Sequence, residues 1–456
     1  MQFVTPRFMD SSISQDDVAA HLRVYGSIHS HLFNLAKRHV YYDDQDILWP
    51  TPEGKLYLRR SVYRFRAWIS KVLRPKFEKF GDTHIGLEDH EIPPYDVMLV
   101  LHAFMLHPRA FYSDTIRLFP EVSILNGFPL AQFASLIDDT MTYVPKEEQV
   151  VFWETTTEES FAVPLFTSPS DTFRLSCPNC NSSFTGLWLE DSDDKLGSNL
   201  VAPCKECNLI ITELAYGAPS SPKMFVELNQ GREWALRKYY RFTRGVPMLT
   251  PPSRGTLLTV EGVFDAERSR IITIDISKAI GLFDIEKFSL PEVIGKLLDI
   301  PEDILESLSV DFLRFYGLPG GFSFDLGAGV LRQTGFSSKM YHNGWTNPEF
   351  PKKCTAVLEE SISRYAGFLT LSMDRQAGSL GPAHDIDLVW HTHQLKPNYR
   401  TDFMRIFAWF LDHVDFAPLN VLATSYSHGE DRWKATYGTP YHEYFLSTSF
   451  PKAVFV

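Results

Sequence analysis

Cysteine is scarce, with five residues in 456, and no stretch approaches the ~20 uncharged apolar residues of a membrane span. Basic charge is short as well: 44 Lys and Arg stand against 56 Asp and Glu, a net charge of −12. That balance disfavours a general nucleic-acid binder, whose footprint is basic. Residues Met1 to Arg7 lack the basic end and apolar run of a secretory signal, and the tail Pro451 to Val456 matches no lipidation or retention signal. The expected location is cytoplasmic or nuclear. Three templates of phosphate and nucleophile chemistry are missing: the Gly-x-x-x-x-Gly-Lys-Ser/Thr loop, the strand-linked Gly-x-Gly-x-x-Gly and the Gly-x-Ser-x-Gly elbow.

The little cysteine present is concentrated. Cys177, Cys180, Cys204 and Cys207 form two Cys-x-x-Cys knuckles, separated by 23 residues. Each knuckle can set two thiolates on one side of a tight turn, and two facing knuckles make the tetrahedral sulfur cage that Zn²⁺ takes. Four thiolates close the coordination shell, so the expected cofactor is one structural zinc. Disulfides, the rival pairing, need an oxidising compartment. The fifth cysteine, Cys354, reads as a small hydrophobe.

A length of 456 residues with 44% hydrophobic content exceeds one ordinary core. A cap residue and acidic first turn at Ser14 to Asp17 open a helix running to about Arg38. Its neighbours His21, His29, His31 and His39 put no three on one face and read as surface or boundary residues. Around residues 150–220 Thr, Ser, Pro and Cys rise, and short alternating runs predict strands beside the knuckles. One repeat is visible: Asp96 to His102, with Leu106 and Pro108, recurs as Asp385 to His391, with Leu395 and Pro397, at a constant offset of 289. Proline before, proline after and an acidic residue at the start predict a three-turn helix in each copy, with Asp96 and Asp385 as N-caps.

The expected fold class is α+β: mainly helical, with two related helical halves flanking a zinc ribbon and a small β-rich middle. The expected division is an N-terminal helical domain over 1–150, the zinc-ribbon insert over 151–220, a mixed segment over 221–320 and a C-terminal helical domain over 321–456.

The second copy of the repeat carries the other candidate chemistry. His384, Asp387 and His391 fall at i, i+3 and i+7 of a helix, on one face, where two imidazoles and a carboxylate can hold a metal or transfer a proton. His393 points elsewhere. His428 and His442 could approach from another element. The first copy keeps His102 but has Met98 for Asp387, Phe104 for His393 and Met105 for Gln394. A shared histidine with unshared polar neighbours also fits a packing role, with His391 buried and hydrogen-bonded.

Taken in order, the Pro93 to His102 motif, Leu106 to Tyr112, the two knuckles, Phe322 to Leu326, Val330 to Gln333, Asp385 to Leu395 and Trp433 with Tyr437 to Tyr441 resemble the glycine-rich domain-containing protein-like family, in its members with an internal zinc ribbon. The set spans most of residues 20–445. Leu101 replaces the family's usual Trp before the histidine, and the glycine-rich tail that names the family is missing, so no role of that tail carries over. The resemblance implies a mostly helical protein and fixes family better than activity. The favoured expectation is a zinc-binding interaction or scaffold protein with protein partners and no membrane. The alternatives are a metal-dependent hydrolase using His384, Asp387 and His391, with His393 as a further candidate, and RNA binding through the ribbon.

Overall fold

The structure, a computed structural model, describes residues 13–163 apart from 40, 43–47, 50, 51, 82 and 118; the segments 172–176, 182–187, 202–203, 205–206 and 210–211; and residues 322, 326–373, 380–407, 413 and 419–441. The first part contains α1 (Gln15–His39), α2 (Pro52–Trp68), α3 (Arg74–Phe80), α4 (Tyr95–Met105), α5 (Pro108–Arg117), α6 (Leu130–Ser135) and α7 (Glu147–Thr157). A π-turn over Ile69–Leu73 joins α2 to α3. The second part contains α8 (Leu326–His342), α9 (Phe350–Lys353), α10 (Thr355–Ser372), α11 (His384–Gln394), α12 (Tyr399–Phe407) and α13 (Leu419–Tyr437). None of the helices searched among the described residues is long and apolar enough to cross a membrane.

The α+β expectation with a β-rich middle is corrected. The described residues are mainly helical, and strand is confined to antiparallel pairs of two to five residues, none joined to another into a larger sheet. The pairs are β1 (Tyr41–Tyr42) with β2 (Leu48–Trp49), β3 (Thr172–Ser176) with β4 (Ser183–Leu187) and β5 (Ala202–Pro203) with β6 (Ile210–Ile211). Short alternation around the knuckles produces hairpin-sized ladders, too few strands for a sheet with a core of its own. Cys177, Cys180, Cys204 and Cys207 lie outside the described residues, as does the segment 221–320. The described strands stop at Ser176 and Pro203, immediately before each knuckle.

Helix α1 shows why the helical pattern was readable. Val18, Leu22, Tyr25, Ile28 and Leu32 recur at helical spacing and are all buried. Ser14 and Asp17 exchange bonds across the first turn, each side chain accepting from the other's backbone N–H. Every residue of α4 is buried, so this helix has no wet face and lies at the centre of its half. Helix α11 is buried except at His384 and Asp387.

The repeated acid is not a cap. The N-cap positions are Pro94 and Ala383; Asp96 and Asp385 sit in the first turn, buried against arginines. Arg64 Nε donates to Asp96 Oδ2 at 2.8 Å, and its Nη atoms donate to the carbonyls of Ser160 and Phe161 at 2.6 and 3.0 Å. Arg364 Nε donates to Asp385 Oδ2 at 2.5 Å, and its Nη atoms reach the carbonyls of Pro440 and Tyr441 at 3.2 and 2.6 Å. Each guanidinium also lies over an indole, Arg64 at 4.8 Å from Trp153 and Arg364 at 4.9 Å from Trp433. The same five-part clamp therefore appears twice, once on α2, α4 and α7 and once on α10, α11 and α13. Helix α7 continues across residue 150, and Trp153 and Phe161 belong to the first clamp.

The two sets of helices are interleaved. Helix α1 packs against α8, α10 and α11, while α8 packs against α4 and α2. One buried apolar cluster runs through both parts, from Val18 and Phe104 to Leu369 and Trp433. At Gly127 (φ +77°), a Cβ would lie 2.6 Å from the carbonyl oxygen of Leu395, so only glycine lets the 127–128 backbone dock on the end of α11, where Phe128 N–H donates to that oxygen at 2.8 Å.

Because each clamp arginine balances a carboxylate taken out of water, Arg64→Leu and Arg364→Leu should each destabilise the fold by about 3–5 kcal/mol, measured by urea unfolding. A loss below about 1 kcal/mol at either position would show that the pair is not the internal tie described here.

Candidate metal centre

Helix α11 projects Asp387 and His391 from one face, one turn apart, with His391 Nε2 3.4 Å from Asp387 Oδ1. The third member is His413, whose Nε2 stands 2.9 Å from His391 Nε2. One ligand atom from each of the three lies within 4.8 Å of the other two. Ligand atoms held about 2.0–2.2 Å from one ion stand roughly 3–3.5 Å apart, so the two short edges fit a shared divalent ion. Two imidazoles and one carboxylate suit Zn²⁺ or another first-row divalent ion, and three protein ligands leave a coordination position open.

Both imidazoles are held from behind. His413 Nδ1 bonds the carbonyl of Leu106 at 3.0 Å, at the C-terminal end of α4. His391 Nδ1 bonds the hydroxyl of Tyr25, on α1, at 2.7 Å. Such outer bonds fix ring orientation and are characteristic of histidines that hold metal. The centre is thus assembled from both parts of the chain.

Around it lies a buried histidine network. His21 Nε2 is 2.8 Å from His102 Nε2, and His21 Nδ1 bonds Thr392 Oγ1 at 2.9 Å. Tyr25 stacks on His21, with ring centroids 4.4 Å apart, and meets the edge of His102. His102 Nδ1 is buried with no hydrogen-bond partner among the described residues, and so are both amide atoms of Gln394, on the α11 face shared with Asp387 and His391. Gln394 can therefore offer a donor and an acceptor to a ligand.

The expected triad of His384, Asp387 and His391 is brought together only in part. Asp387 and His391 meet, but His384 is not in the converging group, and His413 takes the third position. His393 serves a separate buried contact, with Tyr365 Oη 3.0 Å from Nδ1 and Asp402 Oδ2 3.1 Å from Nε2. His428 is not in the group, and His442 lies outside the described residues. His21, expected at a surface or boundary, is fully buried in the network. His413 lies 22 residues beyond His391, at a separation that carries no helical or knuckle signal. Tyr25 was legible only as one more apolar position of α1. Cys354 is a free thiol, half-buried at the start of α10.

Burial keeps these imidazoles neutral. Desolvation holds His391 and His21 well below the usual histidine value of 6.5, assisted by neighbouring histidines, and it lowers His102 to about 3. His393 is also lowered by burial, with Asp402 opposing the shift. Metal ligands must be deprotonated, so His391 is already in its binding form near neutral pH.

The same shifts set the pH dependence of stability. The unfolded chain protonates these rings below pH 6.5, whereas the fold does not, so the unfolded state binds more protons and stability falls as pH falls. For His102 alone the loss between pH 6.5 and 5 is about 2 kcal/mol. Melting temperature in the presence of a chelator should be flat above about pH 7.5 and drop steeply by pH 5, with a shallower drop in His102→Gln protein; a profile flat from pH 7.5 to 5 would contradict neutral burial.

Residues 318–402 match the model of the family described as glycine-rich domain-containing protein-like. The chain is 32% identical over 127 residues to Glycine-rich domain-containing protein 1 of Arabidopsis thaliana, covering 26% of this chain and 15% of that protein. It is 30% identical over 152 residues to Glycine-rich domain-containing protein 2 of the same organism, covering 30% of this chain and 18% of that protein. The matches therefore span less than a fifth of either relative. No solved structure matches the chain. The 318–402 stretch contains Arg364 and Asp385 of the second clamp and the candidate ligands Asp387 and His391. The similarity to the glycine-rich domain-containing protein-like family is thus carried by residues 318–402 and by these partial matches.

Proposed function

We propose that the protein is a metal-dependent hydrolase whose centre is Asp387, His391 and His413. The convergence of these three ligand atoms, with each imidazole fixed from behind, carries the reading. A divalent ion held there would supply Lewis-acid polarisation and lower the pKa of a bound water. Asp387, His391 and His413 would hold the ion, and Gln394, on the same helix face, would offer an amide donor and acceptor to a ligand. Neutral His21 and His102 keep the surroundings free of competing cations.

The buried histidine cluster is what favours this reading over a scaffold or interaction protein. Burying several imidazoles without charge lowers stability at moderately acidic pH, and strongly perturbed histidines gather at functional sites. Protein partners remain compatible with the hydrolase reading. RNA binding through the ribbon is disfavoured by the net charge of −12.

Cys177, Cys180, Cys204 and Cys207 are proposed to hold a second ion, a structural zinc. Its support is the paired knuckle spacing and the position of each knuckle between two paired strands.

Elemental analysis of purified protein should find two metal equivalents. Asp387→Asn, His391→Gln and His413→Gln should each remove one, and Cys177→Ser the other. One equivalent in the wild-type protein, unchanged by His391→Gln, would end the hydrolase reading. Zinc at well below one equivalent, unchanged by Cys177→Ser, would end the knuckle proposal.

A further inference from the structure

A cavity of about 420 Å³ lies between α1, the loop that carries Met141 and the segment from Trp345 to Leu358. Its wall on α1 is the stripe Asp16, Ala19, Ala20 and Arg23, spaced i, i+3, i+4 and i+7. His21 and Tyr25 leave α1 on another side, toward the histidine network. The cavity shares no residue with Asp387, His391 and His413, so it stands apart from the metal-centre reading. Ala19, Ala20, Met141, Trp345, Pro348 and Leu358 give it a largely apolar lining.

Two features point to a built site. Met141 is held at φ +62°, a left-handed conformation that residues other than glycine rarely take. The Asp138 carboxylate fixes that loop by accepting from the backbone N–H groups of Thr140 and Thr142, both at 2.9 Å. Gly26 on α1 makes room for the Met141 sulfur, since a Cβ there would lie 2.6 Å from it. Strain of this kind persists only where the surroundings impose it, and it gathers at ligand sites. Thr346, also on the wall, is 2% exposed, and its hydroxyl has no hydrogen-bond partner among the described residues. Buried hydroxyls are normally matched, so this one points to an occupant that completes it.

The charges around the cavity select the occupant. Arg23 Nη2 stands 2.6 Å from Asp139, and Lys352 Nζ stands 2.8 Å from Glu349, so both basic side chains on the wall are already paired with acids. Gln15 Nε2 donates to Glu359 at 2.5 Å. Asp16 is exposed at the rim, and its carboxylate has neither an ion pair nor a hydrogen bond among the described residues. An unmatched carboxylate beside an aromatic, apolar cavity favours a cation that also carries apolar surface. At the density of liquid water the volume holds about a dozen heavy atoms.

We propose that this cavity binds a small organic cation, an aryl- or alkylammonium whose apolar body lies against Trp345 and Met141 and whose charged nitrogen meets Asp16. Arg23 and Lys352 exclude anions poorly by themselves, but their own acids leave them no charge to offer one. Asp16 therefore sets the sign of the ligand, and the apolar walls set its size.

The test is calorimetric titration of the full-length protein with three probes of one shape: phenylbutylamine, phenylbutanol and phenylbutyrate, which are cationic, neutral and anionic near neutral pH. The amine should bind one equivalent about tenfold tighter than the alcohol, with the carboxylate weakest. Asp16→Asn should bring the amine down to the affinity of the alcohol and leave the alcohol unchanged. Raised salt should shrink the same preference. Ala19→Phe, which fills the cavity, should abolish binding of amine and alcohol alike. The ¹³C-methyl signal of Met141, assigned through Met141→Leu, should move with the amine in the wild-type protein, and it locates the ligand even if Ala19→Phe does not fold. Equal affinity for the three probes, tightest binding of phenylbutyrate, an amine preference undiminished in Asp16→Asn, an unmoved Met141 signal, or no binding of the amine at millimolar concentration would each overturn the proposal.

Discussion

Two buried guanidinium–carboxylate pairs constrain everything else in this molecule. An unpaired ion in such surroundings is strongly destabilising, so each arginine must keep its aspartate, its two carbonyls and its indole together. That requirement ties a helix carrying arginine, a central helix carrying the acid, and the tryptophan helix with the segment beyond it. The carbonyl acceptors matter as much as the carboxylate. Without the oxygens of Ser160 and Phe161, or of Pro440 and Tyr441, several guanidinium N–H groups would be buried and unsatisfied.

The clamps hold α4 and α11 in equivalent places, and the difference between those helices is where the chemistry enters. The α4 face reads Met98, His102 and Met105; the matching α11 face reads Asp387, His391 and Gln394. Both histidines are buried. On α4 the neighbours are apolar, so the face closes as core. On α11 they are a carboxylate and an amide, which an unassisted core would not tolerate. Helix α1 packs polar groups against the histidines of this patch: Tyr25 bonds His391, while His21 bonds Thr392 and His102. A polar patch in one half is therefore supported by helices packed against both.

Legibility in the sequence followed the range of each interaction. Helices α1, α4 and α11 could be read because periodicity, proline and capping act within a few turns. The repeat could be read because its spacing is local and constant. The role of Asp96 and Asp385 could not, since a cap and a clamp demand the same residue at nearly the same place, and only the approach of Arg64 and Arg364 decides between them. The β-rich middle was over-read because alternation around Thr172 to Leu187 identifies a strand without saying how many partners it finds. Asp387 with His391 was readable as one helical face. His413 was not, because nothing local relates it to α11, and His21 looked like a boundary residue until α4 and α11 covered it from the far side.

Burial explains why these histidines suit a metal better than a proton. A histidine working as an acid or base near neutral pH needs a pKa near that pH, and desolvation has moved these far below it. A neutral imidazole with a directed lone pair is the form a divalent ion binds, and it binds without displacing a proton from the ring as a whole. The same argument separates the two proposed ions by kind. Four thiolates exhaust a tetrahedral ion and leave it nothing to do but hold chain segments together. Two imidazoles and a carboxylate would leave a position open, and the buried Gln394 amide on the same helix face has no hydrogen-bond partner among the described residues. Under the proposed function, chemistry belongs at the second centre, because only there could a bound metal take a ligand that the protein does not provide.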